Sequence, residues 1–90
     1  MKLARVTGTV TATAKEAQLV GLTLLLVEYV DGAGKVTDPA CVVADTCGAG
    51  VGDTVLVTHG SAARLPAQLS GAPVDAAITA IIDRVTLANS

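Results

Sequence analysis

The chain has 90 residues, a formal net charge of −2 and a hydrophobic fraction of 51%. This length fits one domain, residues 1–90, with a small core, so the high apolar content predicts that other chains cover part of its surface. The small and unclustered charge disfavours nucleic acid as a partner, and the longest strongly apolar run, residues 24–27, is far shorter than the roughly 20 residues of a transmembrane helix.

The N-terminal segment alternates between apolar and polar residues. Even positions from 4 to 12 read Ala, Val, Gly, Val and Ala, whereas odd positions from 5 to 13 are Arg or Thr. A period of two predicts a β-strand over residues 4–13 with one apolar face. The same segment lacks the long apolar stretch of a secretory signal, so we expect a cytoplasmic protein.

Three further strands are predicted in the middle of the chain. Apolar residues indicate strands at 22–29, 40–45 and 54–59. The glycines of residues 31–35, DGAGK, provide the turn chemistry of a hairpin loop between the first two of these strands. A second glycine-rich loop precedes the third.

The C-terminal third is less clear in its pattern. Ser61 can cap a short helical turn over residues 62–65. Residues 76–87 fit a helical stripe as well as a strand, but the density of isoleucine and the lack of Gly or Pro favour a strand. Five short strands and one short helical segment predict a mainly all-β fold, a small OB-like β-barrel.

The glycine-rich loop does not have the chemistry of a phosphate site. Residues 48–52 read GAGVG, a GxGxG spacing rather than GxGxxG, and a strand is predicted after them instead of a helix. No Gly-Lys-Ser/Thr closes a P-loop. We interpret the loop as a tight turn in which backbones pass closely.

Other catalytic and cofactor patterns are also absent. His59 and Ser61 lie two residues apart, but the GxSxG pattern of a nucleophile elbow is missing. Cys41 and Cys47 show no zinc spacing and are interpreted as buried, small apolar residues. We therefore predict no enzyme, no metal site and no cofactor.

Five motifs in the same order resemble the EutN/CcmL family of bacterial microcompartment vertex proteins, and together they cover nearly the whole chain. They are Val6-x-Gly8-x-Val10-x-x-Thr13-x-Lys15, Leu19-x-Gly21, Asp45-x-x-Gly-Ala-Gly50-x-Gly-Asp-x-Val-Leu-Val57, Gly60-Ser-Ala-Ala-Arg64, and Pro73-Val-Asp-Ala-Ala77 with Ile81-Ile-Asp83. The resemblance implies an OB-like barrel that assembles into a cyclic homopentamer. Such a ring closes the five-fold corners of a protein shell, where hexameric shell proteins are its neighbours.

The resemblance also gives candidate contact residues. The glycine loop is a candidate for the central pore or a subunit seam through Gly48, Ala49, Gly50 and Gly52. The segment Gly60, Ser61 and Arg64 is a candidate for the subunit interface, with Arg64 donating across it. Lys15 is a candidate for contact with neighbouring shell tiles, although a solvated loop lysine fits equally well.

The sequence alone leaves two alternative functions open. An OB-type module could bind single-stranded nucleic acid or a small ligand, but the chain has one Tyr, no Phe and no Trp to stack on bases. An enzyme would depend on the proximity of His59 and Ser61.

Overall fold

Five β-strands form a closed barrel in the order β1-β2-β3-β5-β4, with β4 returning to β1. The structure is a computed structural model that describes residues 1–11, 22–60 and 75–88. The strands are β1 (Lys2–Val10), β2 (Thr23–Val30), β3 (Val36–Asp45), β4 (Thr54–His59) and β5 (Ala76–Ile82). The predicted all-β, OB-like barrel is confirmed.

Within the described residues, all strand pairs are antiparallel except one. β3 and β5 run parallel and pair only through Ala44 with Ala77 and Asp45 with Ile78. The barrel therefore closes through a short seam between β3 and β5, and Ile78 also pairs with Val57 of β4.

The apolar face predicted for the N-terminal strand points into the core at Ala4 and Val6. Ala4 and Val6 are fully buried, and they pack with valines from β2, β3 and β4 around Ile78. A register shift follows Val6, and beyond it the residues at positions 8 and 10 are only half-buried. The core is made of small aliphatic side chains and one aromatic ring, that of Tyr29.

Predicted strand boundaries differ from the structure in every strand except β4: β1 is Lys2–Val10 rather than 4–13, β2 is displaced by one residue at each end, and β3 and β5 differ at one end each. β3 begins at Val36 rather than residue 40. Pro39 has no N–H to donate to the neighbouring strand, and the pairing of β3 with β2 shifts register on both sides of Tyr29. β5 ends at Ile82 rather than residue 87, because Ile82 pairs with Thr54, the first residue of β4. Beyond that pair β4 offers no partner. The predicted helical turn at 62–65 lies outside the described residues.

Candidate functional site

The glycine loop between β3 and β4 is held in shape by two aspartates. The Asp45 carboxylate accepts hydrogen bonds from the backbone N–H groups of Cys47 and Ala49, each at 2.9 Å. Asp53 accepts one from the N–H of Gly50 at 2.8 Å. These side chains fix the loop because Asp readily bonds to backbone groups a few residues away.

The same loop is joined to β1 through the backbone. The N–H of Gly52 donates to the carbonyl of Val6, and the N–H of Val6 donates to the carbonyl of Asp53, both at 2.9 Å. These two bonds attach the loop to β1 of the barrel. Its position is set by the sheet as well as by its own turn.

This arrangement leaves no cradle for phosphate. The N–H groups of Cys47, Ala49, Gly50, Gly52 and Asp53 all donate within the protein. A phosphate-binding loop would point such groups at its ligand, and here two carboxylates would also repel an anion. These N–H groups are therefore not available to a phosphate.

The glycines of the loop are explained by backbone conformation. Gly48 and Gly52 have φ values of +77° and +94°, a region that side chains with a Cβ disfavour. A Cβ at either position would meet nothing within 4 Å, so backbone conformation, rather than lack of space within the subunit, requires glycine there. At the tip, Val51 exposes 66% of its surface, and Ala49 packs against the core.

The second candidate segment is described only at its first residue. Gly60 follows β4 with a φ of +68°, and its N–H donates to the carbonyl of Asp75 at 2.8 Å. Ser61 and Arg64 lie outside the described residues, as does Lys15. Of the three candidate interface residues, the structure therefore places only Gly60.

His59 has a structural partner that the sequence did not indicate. A hydrogen bond of 2.8 Å joins its Nε2 to the phenolic oxygen of Tyr29 on β2. The two residues belong to strands that are not neighbours in the barrel, so no sequence spacing could have shown the contact. The bond gives the histidine a structural role in joining β2 to β4.

Charged groups gather around this tyrosine. Lys2 lies with Nζ 5.3 Å from the ring centre and 3.9 Å from a carboxylate oxygen of Asp38. The pKa of Tyr29 is raised, first by burial of the phenol and then by a hydrogen bond and charge repulsion from Cys41, with Asp75 and Asp38 adding further repulsion. The phenol is thus held in its neutral form.

The tyrosine also bears on the nucleic-acid hypothesis. It is the single aromatic residue among Phe, Trp and Tyr, and it is only 7% exposed. Single-strand binding surfaces stack bases on exposed aromatic rings. This barrel therefore has no such platform, since its one ring lies in the core.

The cysteines differ from expectation in their exposure. Cys41 is half-buried against the core, but Cys47 is exposed, so the predicted burial of Cys47 is wrong. Within residues 1–11, 22–60 and 75–88, no group of three His, Cys, Asp or Glu side chains is placed to hold a metal ion. In the same ranges, no helix is long and apolar enough to cross a bilayer.

Large apolar side chains lie on the surface of the isolated subunit. They are Met1, Val36, Val42, Val51, Ile81, Val85 and Leu87, each more than 40% exposed. Apart from Met1, they come from β3, the glycine loop, β5 and the segment after β5. A subunit of a cyclic ring buries two different contact surfaces, and exposed apolar side chains suit such contacts.

Residues 1–83 match the sequence profile of the family described as ethanolamine utilisation protein EutN/carboxysome. The chain belongs to the EutN/CcmL family. It is 47% identical to the carboxysome shell vertex protein CcmL of Thermosynechococcus vestitus over 89 residues, covering 99% of this chain and 90% of that one. The predicted family resemblance is confirmed.

Solved structures of EutN/CcmL proteins share the barrel. CcmL from Gloeobacter violaceus superimposes with a TM-score of 0.92 at 43% identity, covering 99% of this chain and 92% of that chain. The pentameric microcompartment shell protein GrpN from Rhodospirillum rubrum gives a TM-score of 0.87 at 39% identity, with coverage of 97% and 99%. The chain therefore shares sequence as well as fold with these two proteins.

Proposed function

We propose that this protein is a structural component that forms a cyclic homopentamer and closes the five-fold vertices of a bacterial microcompartment shell. The observation that carries the proposal is the nearly full-length match to a carboxysome shell vertex protein and to a pentameric shell protein. The protein would reside in the shell within the cytoplasm. It would act by geometry, without catalysis.

The geometry of closed shells gives the mechanism. Six-fold tiles alone cover flat or tubular surfaces, so a polyhedral shell needs five-fold positions at its corners. A ring with C5 symmetry fills such a corner through heterologous contacts, in which one face of a subunit meets a different face of the next. Hexameric shell proteins are the proposed neighbours, and Lys15 is a candidate contact with them.

The surface of the subunit supports assembly with other chains. Val51 at the tip of the glycine loop and Val42 on β3 are 66% and 49% exposed, which is unfavourable for an isolated small domain. We propose that the loop, with Gly48, Ala49, Gly50 and Gly52, lies at the pore or a subunit seam. Gly60, Ser61 and Arg64 remain the second proposed interface segment.

Native mass spectrometry tests the ring. The expected particle has five times the 8.9 kDa subunit mass at micromolar concentration. Mixing it with a hexameric shell protein is expected to turn open sheets or tubes into closed particles, as seen by electron microscopy. A strictly monomeric chain that enters no shell contradicts the proposal.

A pair of matched variants tests the position of the loop. Val51→Asp places a charge at the loop tip, and Val42→Asp places the same charge on β3, on a side chain that is also exposed. If the loop lies at the seam, Val51→Asp dissociates the ring because an unpaired buried charge is costly. A ring that survives Val51→Asp but not Val42→Asp moves the seam to β3 and refutes the loop assignment.

A further inference from the structure

A cavity of about 220 Å³ lies at the surface of the barrel. Its floor includes outward residues of β1 and the start of β4, and its walls are the β2–β3 loop and the segment after β5. At about 30 Å³ per water molecule, this space holds a ligand the size of roughly seven waters.

The walls of the cavity are built by close packing. Gly34 lies so near the Arg5 guanidinium that an added Cβ would stand 3.3 Å from Nη2. On the other side, a Cβ at Gly32 would lie 3.0 Å from Leu87, so the loop and the C-terminal segment are in direct contact. The cavity is thus part of the folded structure rather than a gap beside an extended loop.

Two arginines line this cavity with most of their donors unused. Arg5 donates to Glu28 and to the Gly34 carbonyl, both at 3.5 Å. Charge-assisted bonds of this kind are usually about 2.7–2.9 Å long, and a guanidinium carries five N–H donors. Arg84 has no hydrogen bond or ion pair with any residue the structure describes.

The acidic residues of the cavity are less available than the arginines. Asp31 is occupied by its own loop, because one carboxylate oxygen accepts from the N–H groups of Ala33 and Lys35 at 2.9 and 3.0 Å. Asp83 also lines the cavity, so two carboxylates, those of Asp31 and Asp83, oppose an anion there, and only Asp31 is bonded to backbone N–H groups. Thr54 adds a hydroxyl to the lining.

We propose that this cavity binds a small oxyanion, either phosphate or a short carboxylate, between Arg5 and Arg84. Planar guanidinium groups bind both classes through paired N–H···O bonds, and the unused donors supply them here. The inference goes beyond a role in shell closure, because it assigns a ligand to each subunit.

The test titrates the assembled protein separately with inorganic phosphate and with acetate and follows backbone amide signals by NMR. Saturable shifts are expected at Gly32, Gly34 and Thr54 with at least one of the two anions. Arg84→Gln is expected to weaken binding at least tenfold. Arg5→Gln is expected to do the same where it folds, which native mass and circular dichroism check.

Two further variants separate a site from general electrostatics. Asp83→Asn is expected to tighten binding at least twofold, because it removes one of the two opposing charges. Lys35→Gln changes the charge as Arg84→Gln does, but Lys35 does not line the cavity, so its effect should stay within twofold. The proposal is overturned if neither anion saturates the cavity amides, or if Lys35→Gln weakens binding as much as Arg84→Gln. Native mass reports the ring independently of these results.

Discussion

Removing the Asp45 carboxylate should destabilise the glycine loop and the protein with it. In Asp45→Ala, the N–H groups of Cys47 and Ala49 lose the acceptor that holds each of them at 2.9 Å. The Cys47 amide belongs to an exposed residue and can bond to water, whereas Ala49 is half-buried and packs against the core. The loss at Ala49 should therefore dominate.

The size of the effect follows from these two bonds. A hydrogen bond to a charged group contributes about 1.5–3 kcal/mol net, and less where water can replace it. We expect Asp45→Ala to lower the free energy of unfolding by about 2 kcal/mol, which in a domain of this size lowers Tm by about 10 °C. Asp45→Asn keeps one acceptor oxygen and should lose about 1 kcal/mol.

Urea unfolding followed by circular dichroism measures these changes, with subunit concentration fixed because assembly shifts apparent stability. Asp83→Ala is the matched control, since Asp83 has no hydrogen bond or ion pair with any described residue. Its effect should stay within about 0.5 kcal/mol. Hydrogen exchange at the Ala49 amide should accelerate in Asp45→Ala. Equal stability of Asp45→Ala and Asp83→Ala, with unchanged exchange at Ala49, would refute the reasoning.

Three other predictions concern the core, the loop and the tyrosine. Ile78→Val should cost about 1 kcal/mol because Ile78 is fully buried, whereas Ile81→Val, at a 41% exposed position of the same strand, should cost less than half of that in urea unfolding of the dissociated subunit. Gly52→Ala should cost about 1–3 kcal/mol through its positive φ, and Gly50→Ala, which meets only an ordinary contact, should cost less than 1 kcal/mol; equal costs would argue against a conformational role. Folding raises the pKa of Tyr29, so the contribution of its neutral phenol to the free energy of unfolding is complete below the ordinary pKa of 10.0. Above pH 10.0 this contribution declines, by up to about 1.4 kcal/mol per pH unit. Absorbance of the single tyrosinate should therefore appear only as the protein unfolds, and Tyr29→Phe should remove this pH dependence.

The glycine loop, residues 48–52, has a different explanation in the structure than in the sequence. Its glycines are required by positive φ at Gly48 and Gly52, and the space around them within the subunit is open. The aspartates at its ends, which the sequence analysis passed over, give it its shape. They are visible in the sequence as Asx-type residues flanking a glycine run, so turn chemistry could have indicated them.

The sequence by itself determined the local elements and the family. Alternation of period two predicted β1, apolar runs predicted β2 and β4, and β4 was predicted with the bounds Thr54–His59 that the structure shows. These features can be predicted because alternation and turn formation depend on neighbouring residues only. The ordered motifs indicated the EutN/CcmL family for the same reason: they are properties of the linear chain.

Only the tertiary structure decided which distant residues meet. The parallel pairing of Ala44 with Ala77, the bond from Tyr29 to His59, and the cavity shared by Arg5 and Arg84 all depend on strand order and register around the barrel. The end of β5 at Ile82 also depends on register, because a strand stops where its partner does. A register shift of one residue would turn each side chain to the other face, so no local pattern can place these contacts.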